Sequence, residues 1–243
     1  MKLVVGIDLT GSNGDPKVPG SLHYVEEGHQ NAYEQVLSIG GAIMGKVCKD
    51  QEFILKGYGA KSRDNGPVCH CIDIADHAEG VDGALHAYRA AIPHQILSGP
   101  TCFAPIIRYA THLAIEREAT NPLIASTPMK DLKYTILLML TDGDIVDIDD
   151  TKAAIVEASK APLSIIIVGI GNQVHADQFQ QMRMLDSDGK LLQYKGSVAE
   201  RDIVQFVPFN ASMELGEDHF AQDLQAELAE QVLAYYGARN IIV

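Results

Sequence analysis

Three nearly continuous apolar runs constrain the fold of this chain most strongly. They are rich in Leu, Ile and Val and lie at residues 3–9 (LVVGIDL), 134–142 (YTILLMLTD) and 162–171 (PLSIIIVGIG). Such runs are typical of parallel strands that are covered by helices on both faces. Weaker strand candidates lie at residues 52–59 and 203–209. The pattern predicts a mostly parallel sheet at the centre of the protein.

Stretches with helical periodicity alternate with these strands. The spacing of their apolar residues predicts helices at 31–47, 103–118, 149–161 and 219–237, whereas 119–131 is predicted to be a surface loop. This alternation predicts an α/β fold with a doubly wound, Rossmann-like sheet flanked by helices. Because 47% of the 243 residues are hydrophobic, the chain can bury a large core. We expect a single domain over residues 1–243.

Charge and composition exclude several classes of function. The net charge is -13, which disfavours binding to nucleic acid or to an anionic lipid surface, since both require a cationic face. No apolar stretch approaches the roughly 20 residues of a membrane span, so we expect membrane association only through other modules or a partner. The four cysteines form no CxxC pair, and residues 1–9 do not resemble a signal peptide. We therefore expect a reduced, cytoplasmic protein.

Small oxygen-bearing side chains follow two of the predicted strands. Asp8, Thr10 and Ser12 lie in the sequence DLTGSN directly after the first strand, and Asp142 follows the strand at 134–140. Between them in the chain, the turn SGPTCF presents Thr101 just before a predicted helix. In open α/β sheets, ligands bind outside the carboxyl ends of the strands. We expect these five side chains to converge there.

The predicted donor set consists of hard oxygen atoms alone. Carboxylates and hydroxyls suit Mg²⁺, or alternatively Mn²⁺ or Ca²⁺, better than structural zinc. Considered singly, DLTGS and TDGD are more typical of turns and helix caps than of metal ligands. Their joint occurrence after two buried strands favours a metal site.

Several segments also resemble a known family. DLTGSN, GPTCFAPII, LLMLTDGDIVDIDDTKAAIVEAS, PLSIIIVGIG and ERDIVQFVPF are similar to the von Willebrand factor A domain of copines and to the copine-like A domain of plant RING-type ubiquitin ligases. The resemblance covers residues 3–236. It implies a metal-ion-dependent adhesion site (MIDAS) with the pattern D-x-[ST]-x-S, a threonine and an aspartate. These roles fall on Asp8, Thr10, Ser12, Thr101 and Asp142.

The resemblance implies a non-enzymatic, intracellular signalling domain that binds a protein partner through its cation. An acidic side chain of the partner would complete the metal shell. Alternatives are a substrate-recruiting module of a ubiquitin ligase, a scaffold whose site stays empty, or a metal-dependent phosphohydrolase. The last alternative lacks a second acid at position 10 and a Lys or His in the motifs. The 243 residues show neither C2 nor RING motifs, so we do not expect lipid binding or ubiquitin transfer from this chain.

Other motifs are interpreted structurally. VCHCID (68–73) is predicted to be a strand with buried cysteines rather than a zinc site, since adjacent strand residues point to opposite faces. LDSDGKLL (185–192) is predicted to form a hairpin turn, and VGIGN (168–172) a glycine turn after a strand. The acidic residues that follow the metal aspartate are expected to favour the N-terminus of the next helix or to select the partner. They are Asp144, Asp147, Asp149 and Asp150.

The final predicted helix carries an apolar stripe with two alternative roles. Phe220, Leu224, Leu228 and Val232 recur at helical spacing. In related A domains this helix moves when a partner carboxylate joins the cation, so the stripe would slide by about one turn and repack. Alternatively, it seals the sheet in one register. The segment 171–182 and the ending YYGARNIIV depart from the family pattern.

Overall fold

The computed structural model describes residues 1–47, 52–61, 66–120, 132–171, 179–186 and 190–241. A six-stranded sheet runs through its centre in the order β11-β8-β7-β1-β2-β5. Five of these strands are parallel, and β5 is antiparallel to β2 at the edge. The strands are β1 (Lys2–Asp8), β2 (Glu52–Tyr58), β5 (Ile72–Glu79), β7 (Thr135–Thr141), β8 (Leu163–Gly169) and β11 (Val204–Pro208).

Helices cover both faces of this sheet. Alternate residues of β1 face opposite sides: Leu3, Val5 and Ile7 belong to one buried cluster, and Val4 belongs to the other. The first cluster includes residues of α1, α2, α7 and α8, and the second includes residues of α3, α4 and α5. The helices are α1 (Ala32–Val47), α2 (Gly80–Ala91), α3 (Ala104–Ala119), α4 (Ile148–Ala158), α5 (Gln180–Leu185), α6 (Phe209–Glu214), α7 (Glu217–Asp223) and α8 (Leu228–Gly237).

Two small sheets complete the described part of the chain. Strands β3 (Ala60–Lys61), β4 (Val68–Cys69) and β6 (Ile96–Leu97) form an antiparallel sheet in which β3 is central. Strands β9 (Gln193–Tyr194) and β10 (Ser197–Val198) form a hairpin. None of the described helices has both the length and the apolar character needed to cross a bilayer.

The predicted α/β, doubly wound, mostly parallel fold is confirmed. All five predicted strands and the helices predicted at 31–47, 103–118 and 149–161 are present, with ends that differ by three residues at most. β5 and α2 were not predicted. β5 is an edge strand with four exposed charged or His side chains, so the sequence lacks the apolar run that marks the central strands. The predicted loop at 119–131 lies almost entirely outside the described residues.

The prediction of one helix over 219–237 is wrong. The chain forms two helices, α7 and α8, joined by turns at residues 224–227. The Asp223 carbonyl accepts a hydrogen bond from the Gln205 side chain and another from the Ala226 N–H at 3.3 Å. The Leu228 N–H then donates to the Gln225 carbonyl at 3.3 Å. These shorter i→i−3 bonds end the regular α-helical pattern at this point.

The interpretation of VCHCID as one strand with buried cysteines is also wrong. The segment divides at residues 70–71, because β4 pairs with β3 in the small sheet whereas β5 pairs with β2 in the large one. Cys69 is exposed and Cys71 is half-buried. Part of the turn predicted at 185–192 lies outside the described residues, and the described hairpin turns at Lys195 and Gly196 instead.

Candidate metal centre

Two neighbouring central strands deliver the predicted carboxylates to one edge of the sheet. β1 ends at Asp8, and β7 ends at Thr141, immediately before Asp142. The register pairs Ile7 with Leu140, so Asp8 and Thr141 occupy equivalent ends of adjacent strands. The Thr141 hydroxyl donates to Asp8 Oδ2 at 2.9 Å. The parallel register therefore brings Asp8 and Asp142 to the same carboxyl edge.

Hydrogen bonds connect four of the predicted ligands. The Thr10 hydroxyl donates to Asp8 Oδ1 at 2.6 Å, and the Thr10 N–H donates to the same oxygen at 2.9 Å. Thr10 Oγ1 lies 3.0 Å from Ser12 Oγ, which donates to Asp142 Oδ1 at 2.9 Å. We call Asp8, Thr10, Ser12 and Asp142 the acidic cluster. Asp8 and Thr10 are buried, whereas Ser12 is exposed, so the cluster opens to solvent at Ser12.

A second layer of contacts holds the DLTGSN loop in place. Asn13 is buried, and its side-chain amide donates to the Thr10 carbonyl at 3.2 Å. The Tyr33 hydroxyl of α1 donates to Asn13 Oδ1 at 2.6 Å. On the other side, Gly59 adopts a φ of +86°, and a Cβ built on it would lie 2.3 Å from Thr10 Cγ2. Only glycine therefore fits the space beside Thr10.

The backbone of Asp8 has its own buried partner. His23 Nε2 lies 2.6 Å from the Asp8 carbonyl oxygen, and His23 Nδ1 lies 2.7 Å from the hydroxyl of Tyr88 in α2. Burial lowers the pKa of His23 to about 4. The neutral ring therefore donates its Nε2–H to the carbonyl and accepts from the tyrosine at Nδ1. His23 fixes the end of β1 without contacting the carboxylates.

Thr101 is joined through its backbone to the loop that begins at Asp142. Its carbonyl accepts a hydrogen bond from the Val146 N–H at 3.0 Å, which ties it to the loop that follows Asp142. Among the described residues, the Thr101 hydroxyl makes no hydrogen bond to the other four predicted ligands. Hydrogen bonds in the described part of the chain thus connect four of the five predicted side chains, and Thr101 is not one of the four.

The acidic cluster holds two carboxyl groups, those of Asp8 and Asp142. Burial, and then the charge of Asp142, raise the pKa of Asp8 to about 7. Burial also raises the pKa of Asp142, against the opposing hydrogen bonds from Ser12 and Asp8. Two carboxylates this close repel each other unless a proton or a cation lies between them. The donor set and its charge therefore fit a divalent cation bound by hard oxygen ligands.

The later aspartates have structural roles that were only partly predicted. Asp149 and Asp150 lie in the first turn of α4 as expected, and Asp150 also forms a bidentate ion pair with Arg108. Asp147 instead accepts hydrogen bonds from the Phe103 and Ala104 N–H groups, at 3.1 and 3.0 Å. It thus stabilises the N-terminus of α3, next to Thr101.

Sequence reasoning missed three supporting residues. Thr141 was treated as the last residue of an apolar strand, although its hydroxyl contacts Asp8. Asn13 belonged to the quoted motif without an assigned role. His23 lies between β1 and α1 in a segment without regular periodicity, so no sequence signal indicated its burial. No group of three His, Cys, Asp or Glu side chains that could hold a metal ion occurs in the described residues, which include Cys69, His70 and Cys71.

Comparison with known proteins agrees with these observations. The sequence model of the copine family matches residues 21–242. The chain is 38% identical to Protein BONZAI 1 and 37% identical to Protein BONZAI 2, both from Arabidopsis thaliana, over 249 aligned residues in each case. These matches cover 99% of this chain but only 40% of each relative.

Solved structures share the fold at low sequence identity. The manganese-loaded TRAP protein of Plasmodium vivax matches 90% of this chain and 72% of its own, with a TM-score of 0.50 and 11% identity. The PilB minor pilin of Streptococcus sanguinis, as a D319A mutant, matches 97% of this chain and 63% of its own, with a TM-score of 0.50 and 12% identity. At this identity the likeness shows the α/β fold of the von Willebrand factor A type and nothing finer. The family match over residues 21–242 and the identity to the BONZAI proteins show that the chain belongs to the copine family.

Proposed function

We propose that this chain is a protein-binding domain that recruits its partner through a divalent cation. Asp8, Thr10, Ser12, Thr101 and Asp142 would hold Mg²⁺, directly or through water. The observation that carries the proposal is the acidic cluster, in which two carboxyls and two hydroxyls are hydrogen-bonded together at the edge of the sheet. The fold of the manganese-loaded TRAP protein makes Mn²⁺ a sensible second ion to test, and Ca²⁺ a third.

The chemistry of the site suits recruitment of an acidic partner. A Mg²⁺ ion has six coordination positions, and hydroxyl ligands do not neutralise its charge. With only two carboxylates in the cluster, the ion would remain electrophilic enough to accept an external carboxylate. The exposed side of the cluster at Ser12 gives that carboxylate access. An acidic chain with a net charge of -13 could then bind an acidic group locally, because the cation supplies the attraction.

The described geometry gives the enzymatic alternative no support. Thr10 occupies the position where a phospho-aspartate mechanism would require a second acid. The nearest imidazole, His23, is directed at the backbone carbonyl of Asp8 and not at a carboxylate. We therefore propose binding rather than catalysis. Recruitment within the cytoplasm, with membrane association only through a partner or another module, is part of the same proposal.

The cation site is tested by comparing two variants that each remove one carboxylate. Asp8→Ala should abolish binding of Mg²⁺ and Mn²⁺, because it removes the buried carboxylate that anchors the cluster. Asp144→Ala removes an exposed carboxylate of the adjacent loop and should bind both ions as the parent does. Titration calorimetry gives the affinities, and the metal-induced rise in melting temperature gives an independent measure. If Asp8→Ala binds the ions like the parent, the assignment is wrong.

The role of Thr101 is tested by separating metal binding from partner binding. Because its hydroxyl makes no hydrogen bond to the rest of the site, we expect Thr101→Ala to weaken metal binding only slightly. It should weaken the Mg²⁺-dependent binding of a glutamate-containing peptide several-fold more, since the family uses this loop to tune the cation. Thr101→Ser retains the hydroxyl and is the matched control. Equal losses in both assays, or no loss in either, would contradict this role.

A further inference from the structure

A cleft beside the acidic cluster indicates what kind of partner segment the site takes. The cleft has a volume of about 430 Å³, within the usual range for ligand pockets. Its walls are the loop that follows the metal motif and the segment that leads into β6. The lining residues are Gly11, Gly14, Asp15, Pro16, Lys17, Gln95, Ile96 and Leu97. Because Gly11 lies between Thr10 and Ser12 in the chain, the cleft adjoins the loop that carries two of the proposed metal ligands.

One wall of the cleft is the edge of a sheet. Within the described residues, β6 has a single strand partner, β3, so β6 is an edge strand. The residue after it, Ser98, forms a parallel bridge to Thr10, and its carbonyl accepts a hydrogen bond from the Gly11 N–H at 2.6 Å. An edge strand presents backbone groups on which an extended chain can pair. This edge leads directly to the acidic cluster.

The charge of the cleft differs from that of the metal site. Lys17 is the only cationic side chain in the lining, is exposed, and has no ion-pair partner among the described residues. The single acid of the lining, Asp15, is engaged: its Oδ1 accepts the backbone N–H of Lys17 at 2.9 Å. In a chain with a net charge of -13, an unpaired lysine beside a cation site favours a second anionic group on the ligand.

We infer that the site binds an extended acidic peptide segment, with one carboxylate on the cation and a second on Lys17. This inference rests on the proposed metal-dependent function and specifies its partner. The segment would lie along the cleft beside β6. Residues two apart on an extended chain point to the same side and lie about 7 Å apart, so the second acid is expected two positions from the first.

Three peptides test the inference in the presence of Mg²⁺. Each is capped and glycine-based: one carries a single glutamate, and the others carry a second glutamate two positions before or after it. Binding to the ¹⁵N-labelled protein is measured by NMR titration, with a chelator as the metal-free control. We expect one of the two-glutamate peptides to bind about 3-fold more tightly, as for a partly exposed ion pair of roughly 0.7 kcal/mol.

Charge reversal at Lys17 shows whether the cleft causes the gain in affinity from the second glutamate. Lys17→Glu should abolish or reverse the gain from the second glutamate while leaving affinity for Mg²⁺ unchanged. Lys160→Glu makes the same change in charge at an exposed residue just before β8, at the opposite edge of the sheet, and should keep the gain. If the second glutamate still raises the affinity for Lys17→Glu, or if all three peptides bind equally well, this inference is wrong but the proposed function is not affected. If no peptide shows Mg²⁺-dependent binding, the proposed function fails as well.

Discussion

Two buried polar clusters lie at opposite ends of the same strand, and they differ in the sign of the charge that each one buries. At the carboxyl end of β7, the acidic cluster brings two carboxyl groups together, and burial raises the pKa of both. At the amino end, Arg201 lies beside Tyr134, just before β7 begins. Its guanidinium donates to the Ala161 and Leu163 carbonyls, both at 2.6 Å, and to the Tyr134 hydroxyl at 3.0 Å.

The contrast separates a site for a ligand from a structural support. Arg201 is 8% exposed, and carbonyl oxygens and the rings of Tyr134 and Tyr235 surround its charge. Those partners all belong to the chain, although Arg201 Nε is buried without a hydrogen-bond partner in the described structure. We call Arg201 and these partners the arginine cluster. In the acidic cluster, hydroxyls orient two carboxyl groups that repel each other when both are ionised. Such a buried pair is stable only with a proton or a cation, and this is the physical reason to expect a ligand there.

The largest expected effect comes from removing Arg201, the centre of the arginine cluster. Arg201→Ala should lower the free energy of unfolding by about 4 kcal/mol, because it removes several buried hydrogen bonds together with the packing of the guanidinium against Tyr134 and Tyr235. Chemical denaturation measures this loss. The Mg²⁺-induced stabilisation of the variant should equal that of the parent while it remains folded, since the two clusters lie at opposite sheet edges. A parallel loss of metal binding would show that the two clusters are coupled.

The next effect tests how precisely the acidic cluster is held. Gly59→Ala should cost about 3 kcal/mol and abolish metal binding, because the new methyl group would overlap Thr10. Gly20→Ala is the matched control: Gly20 has a similar φ of +90°, but a Cβ there would meet nothing within 4 Å. It should cost only the backbone strain, about 1 kcal/mol, and bind Mg²⁺ normally. Denaturation and metal titration of both variants distinguish strain from displacement of Thr10.

A smaller effect of opposite sign tests the repulsion between Asp8 and Asp142. In the presence of a chelator at pH 8, the free energy of unfolding of Asp8→Asn should be about 2 kcal/mol higher than that of the parent, so the variant is the more stable protein. The asparagine removes the repulsion with Asp142, and its amide can donate to Thr141 while the Thr141 hydroxyl donates to the Gly143 carbonyl. As the Mg²⁺ concentration rises, the parent should become more stable than Asp8→Asn, because only the parent gains stability from the ion.

The pH dependence of that difference follows from the raised pKa of Asp8. Between the ordinary value of 3.8 and about 7, the folded parent holds a proton that the unfolded chain has lost. Its stability therefore falls as pH rises through this range, and the advantage of Asp8→Asn should widen and then level off above pH 7. His23 titrates in the opposite sense but does so in both proteins, so it cancels in the difference. A gap that does not change with pH would contradict the charge argument.

The acidic cluster was easier to predict from the sequence than the contacts of Arg201. The apolar runs of β1 and β7 fixed where Asp8 and Asp142 would lie, because buried parallel strands leave a strong signal and their ends share one edge. Arg201 was not predicted, since its partners are backbone carbonyls and rings that only the folded chain brings together. His23 was missed for the same reason. Local patterns thus predicted the donors of the acidic cluster but not the buried contacts that support them.

The smallest expected effect concerns the C-terminal helices α7 and α8, because α8 contacts the arginine cluster. Arg201 donates to the Gln231 carbonyl of α8 at 3.3 Å, and the Tyr235 hydroxyl donates to Glu118 of α3 at 2.8 Å. Asp223, at the end of α7, is held through its carbonyl by Gln205 and through its carboxylate by Ser212.

A slide of one turn, about 5.4 Å, would break each of these bonds and leave buried polar groups without partners. We therefore expect the apolar stripe to keep one register, in agreement with its complete burial across α7 and α8. Hydrogen exchange over residues 217–237 should be the same with Mg²⁺ alone and with Mg²⁺ plus the glutamate peptide, while exchange near Thr101 decreases. Faster exchange in α8 when the peptide binds would instead show that the arginine cluster opens, and that peptide binding at one end of β7 is coupled to packing at the other end.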